Sequence, residues 1–368
     1  MKRQIWADAL PNTTATCGKS VSLDLPQPSH WRPVVNRVST SRTFSAKMPA
    51  EISIVIAAYN VEKYVERAIR SALDQENVSV EVIVIDDKST DGTRAAIACI
   101  ADPRVRVINL LVNSGPSVSR NAGIDAATAP WIAILDGDDM FLQGRLARCL
   151  LRAKMLDADI VVDNLVAHRE TNKAEYPMFS PMFFSRIGIL TLEKFTSVKR
   201  FFPGRRTSLG YLKPVFKAEF LQQRGLRYDP ALRIGEDYLL MCEALASGAR
   251  CAVEPEAGYL YTVRAGSLTS QLSLDDVDRM AEGDKKFLAR YRPGRAAARM
   301  QRRQAYDLRE YYAYAMLTDA LKRRDIKGAL KGVATRPLIA LRLWRPASRR
   351  AKQLFKKMKE RNSRPAVG

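Results

Sequence analysis

Three carboxylates fall within four residues at the end of an apolar run, in Ile132-Ala133-Ile134-Leu135-Asp136-Gly137-Asp138-Asp139. Neighbouring carboxylates raise one another's pKa, so a cluster this dense is costly unless positive charge lies beside it. Oxygen-binding cations such as Mg²⁺ or Mn²⁺ meet that need, and they commonly act beside substrate phosphates. Asp138 is therefore the predicted metal ligand, with Asp136 facing a ribose or a metal-bound water. The alternative is an acidic turn that only ends a strand.

Two further acidic pairs occur at comparable places in the chain. Asp86-Asp87 follows the apolar run 80–85 and could accept the N–H of a pyrimidine or bind ribose hydroxyls; alternatively, it belongs to a turn that caps the next helix. Glu236-Asp237 precedes a helical apolar pattern and could accept a proton from a sugar hydroxyl. The alternative is that this pair only stabilises the positive end of that helix.

The helix predicted to start at Gly115-Pro116 carries Arg120 and Asn121, which could reach a nucleotide. Arg120 could equally be a solvated surface charge.

Short apolar segments alternate with amphipathic ones between residues 51 and 162. Strands are predicted at 51–58, 80–85, 105–108, 132–135 and 160–162, and helices at 61–73, 91–100 and 115–127. Such alternation indicates βαβ units, right-handed crossovers and a mainly parallel sheet, hence the α/β class. Ligands of these sheets bind at the carboxyl ends of the strands, so one crevice can hold both strand-end acidic clusters.

Composition narrows the class of protein. The 368 residues are 46% hydrophobic, enough for one large domain with appendages. Five widely spaced cysteines and two histidines disfavour a zinc site and fit reduced thiols in a cytoplasm. Neither an apolar span of membrane length nor a secretory signal is evident, so a cytoplasmic location is expected. Residues 1–49, rich in Ser, Thr and Pro, are predicted to be disordered.

Most of the net charge of +21 lies near the C-terminus: from Pro293 onward there are 21 Lys and Arg against 5 Asp and Glu. Leu354, Phe355 and Met358 form an apolar stripe among these basic residues. This pattern predicts an amphipathic helix lying on an anionic membrane surface. The alternative is a solvated helix packed on the catalytic domain. A nucleic-acid partner is not expected, because no recognised binding motif accompanies the charge.

Five motifs occur in a family's order across roughly residues 50 to 270. They are Ile54-Val55-Ile56-Ala57-Ala58-Tyr59-Asn60, the segment 84–93 around Asp86-Asp87, Asn113-Ser114-Gly115-Pro116 with Ser119-Arg120-Asn121-Ala122-Gly123, Leu135-Asp136-Gly137-Asp138-Asp139, and Gly235-Glu236-Asp237. Together they resemble the family 2 inverting glycosyltransferases, which have the GT-A fold with a Rossmann-like nucleotide-binding sheet. One position departs from that family: Lys88 stands where glycine is usual.

The resemblance implies a role for each matched residue. Asp87 would contact uracil, Asp138 would bind Mg²⁺ or Mn²⁺, and Asp237 would be the catalytic base, with Glu236 positioning the acceptor. The remaining residues expected around the UDP-sugar are Ala58, Tyr59, Asn60, Asp86, Arg120, Asn121 and Asp136.

A narrower resemblance, to succinoglycan-type exopolysaccharide glucosyltransferases, is carried by the segments 210–214, 225–228, 233–238 and 266–268. It implies transfer of one sugar, with glucose as the first candidate, from a UDP-sugar in exopolysaccharide biosynthesis. A lipid-linked oligosaccharide acceptor on the inner face of the cytoplasmic membrane would give the basic tail a purpose. The Gln-x-x-Arg-Trp motif of processive synthases is absent from the sequence, so single-sugar transfer is expected. The predicted organisation is a catalytic domain at 50–275 and a helical, basic C-terminal region at 276–368.

Other interpretations remain open. The acceptor could instead belong to lipopolysaccharide, capsule or another glycan. A nucleotidyltransferase also uses paired aspartates, but it usually has a Gly-rich basic phosphate loop, whereas the first strand here leads into Ala58-Tyr59-Asn60. A binding module for RNA or membrane would leave the carboxylate clusters without a purpose.

Overall fold

The computed structural model describes residues 49–197, 199–202, 205–264 and 272–299, with scattered positions between 301 and 327. The predicted disordered extension lies almost wholly outside these residues. The basic amphipathic helix and the segment 266–268 lie outside them too.

Eleven strands and nine helices have boundaries within the described residues. The strands are β1 Ile52–Ala58, β2 Val80–Asp86, β3 Val105–Asn109, β4 Trp131–Asp136, β5 Met140–Phe141, β6 Ile160–Arg169, β7 Ala174–Pro177, β8 Lys199–Phe202, β9 Arg205–Ser208, β10 Val215–Lys217 and β11 Cys251–Val263. The helices are α1 Val65–Leu73, α2 Thr93–Ala98, α3 Pro116–Ala126, α4 Arg145–Met155, α5 Pro181–Ser185, α6 Leu192–Ser197, α7 Ala218–Gln223, α8 Glu236–Ala246 and α9 Leu274–Tyr291.

The main sheet has the order β3-β2-β1-β4-β10-β6-β11-β5, with β7 paired to β6. Strands β1 to β4 are mutually parallel, and the register places Ala57 opposite Asp136 and Ala58 opposite Asp86. The carboxyl ends of β1, β2 and β4 therefore meet at one edge, as predicted. The apolar strand residues are buried on both faces, which is typical of a sheet covered by helices.

The predicted strands and helices of residues 51–162 are all present, with ends shifted by a few residues. Strand β10 was not predicted, and it inserts antiparallel between β4 and β6. Its three residues are too few to show a period, so only pairing with both neighbours defines it.

Close packing of α3 on the sheet depends on a residue without a side chain. A Cβ at Gly123 would lie 2.2 Å from Val55 Cγ1 and 2.7 Å from Ile85 Cδ1. Because α3 carries Arg120, this close approach sets how deeply that guanidinium enters the strand-end crevice.

No helix in the described part of the chain is both long enough and apolar enough to cross a membrane.

Candidate active site

The last carboxylate of the β4 cluster, Asp139, is buried and bound to β11. Its Oδ2 accepts a hydrogen bond from the Tyr259 hydroxyl at 2.7 Å, and its Oδ1 accepts one from the Thr262 backbone N–H at 2.7 Å. Burial, together with the charges of Asp138 and Asp136, raises the pKa of Asp139 well above its usual range. Asp139 thus fastens the turn after β4 to β11.

The middle carboxylate, Asp138, is partly exposed and lies beside two guanidinium groups. Its Oδ2 accepts from Arg264 Nε at 2.7 Å, and its backbone carbonyl accepts from Arg67 Nη2 at 2.8 Å. Both guanidinium groups lie over the Tyr64 ring, about 5 Å from its centroid. Burial and the neighbouring Asp136 raise the pKa of Asp138, and Arg264 opposes that shift.

The first carboxylate, Asp136, belongs to a buried ion-pair network. Its Oδ1 accepts from Arg120 Nη2 at 2.6 Å, and its Oδ2 lies 2.7 Å from Lys213 Nζ. Burial alone would raise the pKa of Asp136, but the two cations outweigh burial and lower it. Arg120 is only 4% exposed, so the interpretation of Arg120 as a solvated surface charge is wrong.

Helix α8 begins with the acidic pair, directly after Gly235, whose φ of +85° favours glycine. Glu236 Oε1 accepts from Arg120 Nη1 at 2.7 Å, and Asp237 Oδ2 accepts from Lys213 Nζ at 2.6 Å. The second oxygen, Asp237 Oδ1, is buried, and the Tyr228 hydroxyl faces the same carboxylate. Arg120 Nη1 lies 3.8 Å from Asp237 Oδ1.

Two cations, Arg120 and Lys213, therefore connect three carboxylates, those of Asp136, Glu236 and Asp237. The acidic pair also occupies the first turn of α8, so stabilisation of the helix end and the ion pairs act together. Breaking one member of such a buried network leaves an uncompensated charge, which is strongly destabilising. The network brings the predicted base to the predicted donor-binding strand end.

The β2 pair is held differently. Asp87 is buried, and its two oxygens accept from the backbone N–H groups of Ser114 and Gly115, each at 2.7 Å. Burial raises the pKa of Asp87, and those two hydrogen bonds oppose the shift. Asp86 is also buried; its Oδ2 accepts from Arg94 Nη2 at 2.7 Å.

The β1 residues border the same edge. The Ala58 carbonyl accepts from the Asp87 backbone N–H at 2.9 Å, and Tyr59 is 45% exposed. Asn60 Oδ1 accepts from the Thr90 backbone N–H at 2.9 Å. These contacts join the ends of β1 and β2 around a common rim.

Asn121 points elsewhere. Its amide donates to the Tyr228 carbonyl at 2.8 Å and accepts from the Tyr228 backbone N–H at 2.9 Å. Both ends of the amide thus hold the segment that leads to α8, and the nucleotide contact stays a prediction for this residue.

Lys88, the departure from the family pattern, has a φ of +62°. Glycine adopts this left-handed conformation freely, whereas a side chain is strained there. The turn after Asp87 is therefore kept in a conformation that suits glycine despite the substitution.

Sequence reasoning assigned no role to Lys213, Arg264 or Arg67. For Lys213 a signal existed, because a lone lysine in Leu212-Lys213-Pro214-Val215-Phe216 interrupts an apolar run, and lysine is rarely buried unless paired. No comparable signal marked the two arginines, since both are common surface residues and only the fold brings them to Asp138.

The donor set limits where a metal ion could bind. Among the described residues, no group of three or more His, Cys, Asp or Glu side chains is arranged to hold one. Asp136 is already paired with two cations and Asp139 is buried against β11, which leaves the partly exposed Asp138 as the candidate ligand. Mg²⁺ is often bound by one or two carboxylates, with substrate phosphates and waters completing the shell. The site therefore fits a cation that enters together with a diphosphate.

Comparison with known proteins identifies the class. The profile described as "Glycosyl transferase family 2" matches residues 53–212. Succinoglycan biosynthesis protein ExoO of Rhizobium meliloti (strain 1021) is 44% identical over 308 residues, which cover 84% of this chain and 88% of ExoO. ExoU of the same organism is 34% identical over 301 residues, covering 80% of this chain and 85% of ExoU. The chain belongs to glycosyl transferase family 2, as its ordered motifs predicted.

Solved structures agree on the fold. The crystal structure of S. aureus TarS 1-349 in complex with UDP-GlcNAc matches with a TM-score of 0.53 and 19% identity, covering 73% of this chain and 80% of that one. The structure of TarS 1-349 alone matches with a TM-score of 0.52 and 19% identity, covering 73% and 74%. The predicted GT-A fold is confirmed.

Proposed function

We propose that this glycosyltransferase is an inverting enzyme that moves one hexose, glucose being the first candidate, from a UDP-sugar to a lipid-linked oligosaccharide in exopolysaccharide biosynthesis. Two relatives that match most of the chain carry names from succinoglycan biosynthesis, which supports the pathway. A structural neighbour solved with UDP-GlcNAc supports a UDP-linked donor.

The observation that carries the proposal is one ammonium group that contacts two carboxylates far apart in the sequence. Lys213 Nζ lies 2.7 Å from Asp136 Oδ2 and 2.6 Å from Asp237 Oδ2. The base candidate therefore stands at the strand end where an α/β sheet binds its ligand. Asp237 Oδ1, the oxygen that Lys213 does not contact, would accept the hydrogen bond of an acceptor hydroxyl.

The reaction follows from these positions. Asp237 accepts the proton of the acceptor hydroxyl while that oxygen forms a bond to the anomeric carbon. The bond from the anomeric carbon to the diphosphate breaks on the opposite face, and UDP leaves with the electron pair. An α-linked donor thereby gives a β-linked product. Unlike a glycosidase, the enzyme needs no second carboxyl group to protonate the leaving oxygen.

The leaving diphosphate requires positive charge. Mg²⁺ or Mn²⁺ held by Asp138 would neutralise charge on the departing UDP. Arg264 and Arg67 lie beside the same carboxylate and supply further positive charge to that part of the crevice.

The nucleoside would lie at the β2 end of the same sheet edge. Each carboxylate oxygen has more than one lone pair, so Asp87 can accept the uracil N–H while it keeps its hydrogen bonds to Ser114 and Gly115. Exposed Tyr59 and the rim at Asn60 would border the base.

A donor screen tests the activity. Purified full-length protein is incubated with a lipid-linked oligosaccharide and each of several UDP-sugars, with Mn²⁺ or with a chelator. One UDP-sugar should yield product only when the cation is present, and the anomeric coupling constant in the NMR spectrum should be that of a β-linkage. An α-linked product would overturn inversion. Release of pyrophosphate from a nucleoside triphosphate would instead indicate a nucleotidyltransferase.

The acceptor is tested by competition. Lipid-linked precursors of exopolysaccharide, lipopolysaccharide and capsule are offered together, and exopolysaccharide precursors should be glycosylated first. Preference for either other precursor would move the enzyme to that pathway.

Attachment to the inner face of the cytoplasmic membrane is proposed from the charge after Pro293. Each basic residue near an anionic surface contributes about 1 kcal/mol, so several basic residues acting with an apolar stripe suffice for reversible binding. Full-length protein should cosediment with anionic vesicles, only partly released by salt, whereas protein truncated after Pro337 should stay in the supernatant. Equal binding of both proteins would show that the tail is not the membrane contact.

A further inference from the structure

Lys213 lies between a 3-10 turn, Leu209–Tyr211, and strand β10. The residue is only 4% exposed. Burying a lysine is unfavourable unless partners compensate, and burial lowers a lysine's pKa. Here the carboxylates of Asp136 and Asp237 outweigh burial and raise the pKa of Lys213 well above its usual range. The side chain is therefore a permanent cation at the centre of the network.

The three carboxylates of the network do not depend equally on this cation. Asp136 has a second partner, Arg120 Nη2, at 2.6 Å, and Glu236 is paired with Arg120 Nη1 at 2.7 Å. For Asp237, Arg120 is 3.8 Å away, and Lys213 is the only cation within 3 Å among the described residues. Removing the ammonium would thus strip Asp237 of its close partner while the other two keep theirs.

We infer that Lys213 is a positioning residue that orients the Asp237 carboxylate through Oδ2, so that Oδ1 is directed at the acceptor hydroxyl. This inference rests on the proposed role of Asp237 as the base. It assigns to Lys213 no contact with the sugar.

The charges around Asp237 decide what the loss of the Lys213 ammonium would do. The groups facing Asp237 are Lys213, Arg120, Glu236 and the ring and hydroxyl of Tyr228, whose pKa is raised by burial and by the Asp237 charge. Without Lys213, a single guanidinium would remain for the adjacent carboxylates Glu236 and Asp237.

The test compares Lys213→Met with Lys217→Met, a lysine four positions away whose side chain is 43% exposed and lies 3.6 Å from Glu219. In Lys213→Met, kcat should fall at least about tenfold, because Asp237 loses the contact that orients it. The UDP dissociation constant should change far less than kcat, because Asp136 retains Arg120. Lys217→Met should resemble wild type in both measurements.

A double-mutant cycle separates this inference from the proposed function. Asp237→Asn alone tests the base: wild-type turnover in that variant overturns the proposed function and leaves Lys213 without a role to support. If Asp237→Asn is impaired, adding Lys213→Met should lower kcat little further, because both changes act on one step. An equal, additive loss in both backgrounds would show that Lys213 acts elsewhere and would overturn the inference.

Loss of a buried cation could prevent folding, so a charge-balanced pair is included. Asp136→Asn with Lys213→Met removes one charge of each sign and leaves Arg120 with Glu236 and Asp237. Its kcat at saturating donor should still be lower than that of Asp136→Asn alone. An unchanged kcat in that comparison would overturn the inference.

Discussion

Two groups of acidic residues lie along the same sheet edge, one at the end of β2 and one at β4 and α8, and they differ in what holds their carboxylates. At β2, both oxygens of Asp87 accept from backbone N–H groups, at Ser114 and Gly115. At β4 and α8, Asp136 and Asp237 are held by side-chain cations, and the shared one is Lys213. Backbone donors are placed by the chain path itself, whereas side-chain cations can change rotamer or be lost by one substitution.

This difference suits two tasks. A nucleoside pocket gains from donors that stay in place, because a preformed site loses little entropy on binding. A base must instead change its protonation state during turnover, and the buried cations Lys213 and Arg120 keep it in position for that step. The β2 end is therefore the proposed recognition side and the β4–α8 end the proposed reaction side.

The largest expected effect is at the reaction side. Asp237→Asn should lower kcat roughly 10²- to 10⁴-fold while UDP-sugar binding persists, because the amide cannot accept the acceptor proton. Glu236→Gln should be milder, since Glu236 is proposed to position the acceptor and not to take its proton. Initial rates and calorimetric UDP titration measure the two effects.

The matched control is Asp275→Asn on α9, an exposed aspartate paired with Arg279. It should behave as wild type. Loss of donor affinity in Asp237→Asn would move Asp237 from the reaction side to the recognition side.

The next effect concerns the cation. Asp138→Ala should remove the Mn²⁺-dependent part of UDP affinity and leave the fold intact, since this carboxylate is partly exposed and not in the core. Calorimetric titration of UDP with and without Mn²⁺ checks it, with Asp125→Ala as a surface control. If Mn²⁺ strengthens UDP binding equally in the Asp138 variant, the metal assignment is wrong.

At the recognition side, Asp87→Ala should cost stability. It leaves the N–H groups of Ser114 and Gly115 without their acceptor, and each unsatisfied buried group costs about 1–3 kcal/mol. Chemical denaturation should show the loss, and UDP should bind more weakly. Asp87→Asn, which keeps one acceptor oxygen, should lose less; an equal loss in both variants would mean that the carboxylate does not hold the loop.

The smallest expected effect is on the free energy of unfolding, at Lys88 in the turn after Asp87. A residue with a side chain is destabilised by about 1–2 kcal/mol in the left-handed conformation. Glycine avoids that strain, but it loses more conformational entropy on folding, which costs about 0.5–1 kcal/mol. Lys88→Gly should therefore stabilise the protein by about 0.5–1 kcal/mol. The same change at Lys154 in helix α4 should destabilise it, by about 0.5–1 kcal/mol. Urea unfolding of both variants decides, and destabilisation by Lys88→Gly would show that its side chain makes a compensating contact.

Much of the fold was predictable because short segments of the sequence indicate their own secondary structure. The β-branched runs at 52–58 and 80–86, the amphipathic stretch before Leu73 and the strand-end aspartates each carry their own signal. Once strands are parallel, their carboxyl ends must share an edge, so the meeting of Asp86 with Asp136 also followed.

The sequence by itself thus determined the five strands predicted between residues 51 and 162, the acidic residues at their ends and the membership of the family. Only the tertiary structure decided which partners each aspartate has. Three carboxylates within four residues look alike in sequence, but Asp139 is bound by Tyr259 and Thr262, Asp138 by Arg264 and Asp136 by Lys213. Those partners lie about 75–125 residues downstream, on elements whose arrangement no local period reports. Residue type sets which chemistry is possible, and long-range packing sets which charge stands beside it.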